Sequence, residues 1–407
     1  MRGKVPVMNL KQIIKIVVFI AIFGVILYLL CDIFEYKNNY MAKGYASYKA
    51  CEDDTVDAVF IGTSGVSRSW IAVQAYQDYG MTVMSLAIDA MPCWLVLDMV
   101  QEAYKFQNPG LLLLDMRMFT LYDPSKVPAL SVTRSRRAID TLDFFSSNRL
   151  DAINRTLKLA STFEDYDMSR FDPSLFLSFI QYHGMWADDG FNPFEQIGCP
   201  EAKYLGFYIN KKNSLKVKTL DIPQWNDETT ELPLVSIDSL NEVLDYCNKN
   251  NIEVLFVDTP HYLSKVESKR NNALCKILDE KGVKYVMYSG PEWYLSDEEA
   301  ESGESGELKF NRFNHFYDSS HLNYYGATVF TTVFSKYLDE HYDLPDHRGD
   351  GRCPEWEGKN EKLIDYMENL AIERAAKAGK KDDGNAEADQ EEKERQEALD
   401  AAKNIGE

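Results

Sequence analysis

Three residues in this chain combine the types and the placing that acyl-transfer chemistry needs. The stretch "FIGTSGVSRSW" sets Ser64 between Gly62 and Gly65, and far along the chain "FYDSSHLN" sets Asp318 three residues before His321. A serine hydroxyl becomes a nucleophile when an imidazole takes its proton, and the imidazole works when a carboxylate fixes its tautomer. Glycines on both sides of Ser64 permit a tight turn and the close approach of a ligand. The stretch lacks the Gly-Lys-Ser/Thr ending of a phosphate-binding loop and the spacing of a dinucleotide fingerprint. Of the six histidines, His321 alone is assigned a partner at mechanistically useful spacing.

Holding a serine and a distant Asp-x-x-His pair at one point requires a sheet, and the chain supplies short apolar runs in a strand-helix rhythm. "VDAVFIG", "MTVMSLAI", "GLLLLDMRMF", "IEVLFVDTP" and "VKYVMYS" read as buried strands. A helix is expected from about Pro92 to Phe106, with two more across "SIDSLNEVLDYCNKNN" and "KRNNALCKILDEKG". This alternation predicts an α/β fold, a doubly wound parallel sheet of about five strands. Ligands of such sheets bind at the carboxyl ends of the strands, where Ser64 falls. After "YDSSHLN", the helical spacing of Ala327, Phe330, Val333, Phe334, Tyr337 and Leu338 predicts a last helix that packs the Asp-x-x-His turn against the sheet. Residues 120–232 break the rhythm and read as a mostly helical insertion, including "RSRRAIDTLDFF", "RLDAINRTLKLAS" and "SLFLSFIQYHGMW".

The N-terminus predicts a transmembrane anchor over residues 1–35, spanning the lipid bilayer through residues 12–34. "IVVFIAIFGVILYLLC" is apolar and follows Arg2, Lys4, Lys11 and Lys15, while Asp32 and Glu35 come after it. That asymmetry places the N-terminus in the cytoplasm and the remaining domain outside the cell membrane. No small-x-small cleavage site follows, and Leu29 and Leu30 are too large for a lipoprotein site before Cys31, so a retained anchor is expected over a cleaved signal peptide. Residues 36–54 read as a polar stalk, 55–345 as the α/β domain, and 346–407 as an acidic tail, partly helical or disordered, with hardly an apolar stripe.

The 407 residues, 45% hydrophobic and 13% aromatic, are ample for a large core. A formal charge of -20 argues against nucleic acid as a partner. Seven scattered cysteines without a CxxC pair or a Cys/His spacing suited to zinc exclude a dense disulfide framework from the expectation, and no metal or cofactor is expected.

With "GTSG" after the first strand and "DSSHLN" before the last helix, residues 55 to 340 resemble the SGNH/GDSL hydrolase superfamily. Within it the chain looks most like membrane-anchored bacterial members such as the teichoic-acid D-alanyl transfer protein and exopolysaccharide O-acetyltransferases. A poorly characterised group with an aromatic "YHxxW" element in the insertion is closer still. The resemblance implies a flavodoxin-like sheet, a catalytic triad of Ser64, His321 and Asp318, and ester hydrolysis or O-acyl transfer, typically O-acetylation. It implies as partners a cell-surface glycan, a cell-wall polysaccharide or another acylated polymer, together with a membrane-bound O-acyltransferase.

Two blocks depart from the family pattern. Ser85 and Ala87 stand where an oxyanion glycine is usual, and Asp115 and Arg117 stand near the place of an oxyanion asparagine. The oxyanion is therefore assigned to the backbone N–H of Ser64 with that of Ala87. Arg68, Arg117, His183, Trp186 and His261 are candidate substrate contacts, with surface ion pairing competing for the arginines, packing of the insertion for His183 and Trp186, and a structural loop-end role for His261. A second expectation follows from the departures: a catalytically weak or inactive glycan-binding or assembly component of an acylation system.

Overall fold

A computed structural model of the chain describes residues 9–35, 39–121, 123–163, 173–188, 191–195, 198–199, 201–302 and 308–381. Helices α1 (Leu10–Ile33) and α2 (Tyr40–Ala50) lead into β1 (Ala58–Gly62), α3 (Ser64–Ser69), α4 (Ala72–Tyr79), β2 (Val83–Ala87), α5 (Val96–Ala103) and β3 (Leu111–Asp115). Four helices follow: α6 (Arg117–Thr120), α7 (Pro128–Ile139), α8 (Ser147–Ala160) and α9 (Ser178–Tyr182). Then come α10 (Leu234–Asn250), β4 (Glu253–Asp258), α11 (Lys265–Lys281), β5 (Lys284–Met287) and α12 (Asp297–Ser302). The hairpin β6 (Phe316–Asp318) and β7 (His321–Leu322), α13 (Tyr324–His341) and α14 (Lys359–Lys381) complete the order. The chain divides into two compact units, Met1–Lys359 and Asn360–Glu407.

The main sheet is parallel throughout, in the order β2-β1-β3-β4-β5. β1, β2 and β3 are buried along their whole length, which is why they read as unbroken apolar runs rather than alternating ones. Strand progression reverses between β1 and β3, so the loops leaving these two strands diverge and open a crevice at their carboxyl ends. Tight helix ends set the register of the second half. α10 stops at Asn251 and α11 at Gly282, both with left-handed backbone, and β4 and β5 begin two residues later.

α13 covers the start of the sheet. Phe334 lies at ring-centroid distances of 5.5 Å from Trp70, 5.9 Å from Phe60, 5.7 Å from Tyr288 and 5.4 Å from Phe330, and all five rings are fully buried. Polar bonds fix the docking, with Ile71 N–H donating to Thr331 Oγ1 (2.9 Å) and Gln74 Nε2 to Thr332 Oγ1 (2.9 Å).

Several boundaries differ from the sequence expectation. The stretch expected as a stalk carries α2, whose Tyr45 and Tyr48 are buried. This helix lies along β2, an edge strand whose outward backbone would otherwise be uncovered. Residues 36–38 lie outside the described set. Among the described residues the insertion is helical only as far as residue 195. From 201 to 233 the described backbone runs without helix or strand, and its N–H groups bond α3, β6 and the loop before β6: Tyr208 to Ser67 O, Lys218 to Phe316 O and Leu220 to Arg312 O. The expected tail begins too early, because Cys353 and Trp356 are buried and the Trp356 ring packs 5.6 Å from Tyr76. Within the second unit, α14 presents Leu363, Met367 and Leu370 at helical spacing, an apolar stripe the composition had hidden. Residues 382–407 lie outside the described set.

α1 is 24 residues long and apolar enough to cross a membrane. At 1.5 Å per residue it reaches about 36 Å, more than a bilayer's hydrocarbon core.

Phe334→Ala empties the centre of the α13 contact and is expected to cost about 3–5 kcal/mol, whereas Tyr325→Ala, on the exposed face of the same helix, stays within about 0.5 kcal/mol. Denaturant unfolding of the full chain in detergent measures both, and equal losses would contradict this packing.

Candidate functional site

Ser64 opens α3 directly after β1. Thr63 caps the helix, and the buried Asp115 carboxylate at the end of β3 takes the Thr63 N–H (2.9 Å) and hydroxyl (2.6 Å) through Oδ2. Its Oδ1 accepts the Arg117 N–H at 3.0 Å. One carboxylate thus clamps the turn that presents Ser64. Gly62 is needed beside this clamp, because a Cβ there would lie 2.5 Å from the Asp115 Cβ and collide with Val66.

The partner residues come from the β6–β7 hairpin. Its two-residue turn, Ser319 and Ser320, pairs Asp318 opposite His321, and Ser320 N–H donates to Asp318 Oδ1 at 2.8 Å. Asn323 then caps α13 by accepting the Gly326 N–H, while its Nδ2 donates to the carbonyls of Lys216 and Asn314. Across the sheet edge Ser64 Oγ lies 2.8 Å from His321 Nε2. His321 Nδ1 lies 2.9 Å from Asp318 Oδ1 and 3.0 Å from Oδ2. Tyr317 stacks on the imidazole with ring centroids 5.3 Å apart and 7° between planes.

The charges around this chain favour a neutral base. Burial pushes the His321 pKa below its ordinary 6.5, and the positive charges of Arg68 and Arg117 push it the same way against the raising effect of Asp318. Burial also pushes the Asp318 carboxyl up, but the hydrogen bond and charge of His321 and the Ser320 N–H outweigh it and hold Asp318 below the usual carboxylate range. At neutral pH the arrangement is a hydroxyl, a neutral imidazole and a carboxylate in series, able to take a proton from Ser64 as its oxygen attacks a carbonyl.

The other candidates are placed as follows. Arg68, one turn after Ser64, donates to Ser64 O (3.1 Å), pairs with Asp89 (3.4 Å) and lies over the rings of Tyr40 (5.2 Å) and Tyr208 (4.7 Å). Arg117 is buried and donates through Nε to Glu267 (3.2 Å), with Nη1 3.5 Å from Ser320 O. A Cβ on Gly65 would lie 3.8 Å from that same Nη1, so the guanidinium flanks the Ser64–Gly65 turn. His261 is fully buried and bonds Thr259 O (2.7 Å) and Glu267 Oε1 (3.1 Å), which makes it a brace behind Arg117 rather than a substrate contact. His183 bonds the carbonyl of Ile180, and Trp186 is 73% exposed. Both follow α9, which packs on α1 and is tied there by the Ser178 hydroxyl to Cys31 O (3.0 Å). They therefore sit on the α1 side of the first unit, because this helical part of the insertion packs on α1.

Ala87 is turned the wrong way for the role expected of it. Ile88 N–H donates to Gly62 O, and groups alternate along a parallel strand, so the Ala87 N–H faces the outer side of β2, away from Ser64. The Ser85 N–H faces outward too, and the Ser85 hydroxyl is buried without a hydrogen-bond partner among the described residues, beside Gly206, where a Cβ would lie 2.5 Å from it. Ser64 N–H, at the first position of a helix, has no intrahelical acceptor and stays available.

Sequence reading missed Thr63, Glu267, Tyr40, Tyr208 and Tyr317. The signal for the buried network was present in "LLLLD" and "VLFVD", two apolar strands that each end in an aspartate. No family model matches the chain, and no curated protein matches it.

The imidazole titration tests the electrostatics directly. NMR of His321 should give a midpoint below 6.5 in the wild type, lower still in Asp318→Asn, and higher in Arg68→Gln. A midpoint above 6.5 would show that burial and the two arginines do not dominate.

Proposed function

We propose that the chain is a membrane-tethered serine esterase or O-acyltransferase of the SGNH type, with its α/β unit on the outer side of the cell membrane, acting on cell-surface or cell-wall glycans. The observation that carries this reading is the hydrogen-bonded series Ser64–His321–Asp318, whose first link joins residues 257 positions apart in sequence. Ser64 Oγ attacks an ester carbonyl, its proton passes to His321 Nε2, and Asp318 holds the Nδ1 proton and stabilises the imidazolium. His321 returns the proton to the leaving alcohol, which leaves an acyl group on Ser64. Water or a glycan hydroxyl, deprotonated in turn by His321, then removes it. The developing oxyanion is met by the Ser64 N–H and by the Arg117 guanidinium in place of the expected Ala87 N–H.

Support for the location comes from the span of α1 and from the basic residues before it and the acidic ones after it. On this reading the acylated polymer, and a membrane-bound O-acyltransferase that supplies acyl groups, are the partners. The outward turn of Ala87 favours a second reading, a weak or inactive component that binds glycan or assists assembly.

A fluorophosphonate probe on the full chain in detergent separates the two. The proposed enzyme labels, and labelling falls roughly a thousandfold or more in Ser64→Ala but persists in Ser161→Ala, on the exposed end of α8. Because the base is His321 with a lowered pKa, the midpoint of the acid-side fall in labelling rate should lie below pH 6.5. Folded wild type that never labels would sink the enzyme and leave the binding component.

A further inference from the structure

The N-terminal end of β1, a strand's length from Ser64, carries a second cluster of chemically capable side chains. His347, Asp350 and Cys353 offer a ring nitrogen, a carboxylate oxygen and a thiol sulfur, all within 4.8 Å of one another. Consecutive tight turns produce this convergence, since Asp350 N–H donates to His347 O (2.9 Å) and Cys353 N–H to Asp350 O (3.0 Å). Residues three apart eclipse in such turns, so positions 347, 350 and 353 project to one side. His347 and Cys353 are buried.

The hydrogen bonds of His347 do not close on a neutral ring. Its Nε2 lies 3.0 Å from Asp57 Oδ1 and its Nδ1 lies 3.3 Å from Asp350 Oδ2. A neutral imidazole has one N–H, and both of these partners are carboxylates that only accept. One contact needs either a second proton or a metal ion. The buried Cys353 sulfur beside it serves no purpose in an imidazolium, whereas a metal would use it. Glu355 adds a buried Oε1 with no hydrogen-bond partner among the described residues. Arg352 bonds both oxygens of Asp350 yet leaves lone pairs free for a further ligand bond.

We propose that His347 Nδ1, Asp350 and Cys353 ligate a divalent transition metal, Zn2+ being the ion the donors suit, with Glu355 or water in the fourth position. Nitrogen, oxygen and thiolate ligands in a tetrahedral closed site are zinc's usual company, and imidazole with thiolate disfavours Mg2+ or Ca2+. Asp57 is the second carboxylate that orients such a histidine, holding Nε2–H so that Nδ1 faces the metal. Binding would displace the Cys353 thiol proton to solvent. The site lies opposite the triad and is structural: it would pin residues 347–355 beneath the sheet, where His347 N–H already meets Gly80 O (3.0 Å) and Tyr76 Oη meets His347 O (2.9 Å). The spacing His347-x2-Asp350-x2-Cys353 matches no Cys/His zinc pattern because its middle donor is an aspartate.

The experiment uses the full chain in detergent, purified in reductant and without chelator. Elemental analysis should find one zinc per chain, chelation should lower the Tm, and Co2+ in its place should give a thiolate-to-metal charge-transfer band. Cys353→Ser should abolish that band, and Asp57→Asn, which removes no ligand, should weaken Zn2+ roughly 10–100-fold. Fluorophosphonate labelling of Ser64 is read in parallel, so loss of metal and loss of the triad are told apart. Folded wild type without bound zinc and without a Co2+ band overturns the proposal. So does a disulfide at Cys353 in unreduced peptide maps of chain purified in parallel without reductant.

Discussion

The docking of α13 against α3 and α4 is the constraint on which the rest of the site depends. His321 precedes α13 by three residues and Ser64 begins α3, so the relative position of these helices sets the gap between imidazole and hydroxyl. Nothing local brings them together. Packing of Phe334 against Trp70 supplies the apolar burial, which is strong but has no direction. The Ile71 to Thr331 bond and the Asn323 cap supply the direction, fixing the rotation and the depth of α13. The 2.8 Å contact between Ser64 and His321 is the outcome.

Behind the triad lies a set of buried charges that would be costly if any member were alone. Asp115 is satisfied by Thr63 and the Arg117 N–H, and Arg117 by Glu267, which also holds His261. Burial pushes the Glu267 carboxyl up, but His261 and Arg117 outweigh it and bring it down to about 2, while Asp258, with Ser289 as its partner, is pushed up to about 6 by burial. Such a network is stable only when complete, because removing one partner strands another charge in a dry place. The network holds the Arg117 guanidinium at the carboxyl end of β3, and its charge adds to burial and to Arg68 in lowering the His321 pKa.

The two ends of β1 show how local geometry and burial divide the molecule's chemistry. At the carboxyl end, a turn that must accept Gly62 and Gly65 puts a hydroxyl where a ligand can approach. At the amino end, Asp57 holds Thr82 and His347 and anchors a segment that composition alone would assign to a solvated tail. Trp356, Cys353 and Tyr76 reverse that assignment, because a few large side chains at the right spacing bury a stretch whose average is polar.

Particular residues show what was legible from the chain alone. The apolar runs ending at Gly62, Ala87, Asp115, Asp258 and Met287 declared a parallel sheet, most plainly in β1, β2 and β3, which are buried along their whole length and carry no alternation. The three-residue interval between Asp318 and His321 is local, and the hairpin realises it directly. The apolar stretch before Asp32 declared a helix of membrane-spanning length. By contrast, the partners of Arg68 and Arg117, the outward turn of Ala87 and the removal of His183 and Trp186 to the side of α1 belong to tertiary structure. Each depends on which group from a distant segment arrives first at a side chain or a strand edge. Sequence by itself determined the elements and the residue types at the sheet's edge, because those follow from patterns within a few positions. Only the folded chain decided which of those side chains meet, because a contact between residues 64 and 321 is set by packing across the whole unit.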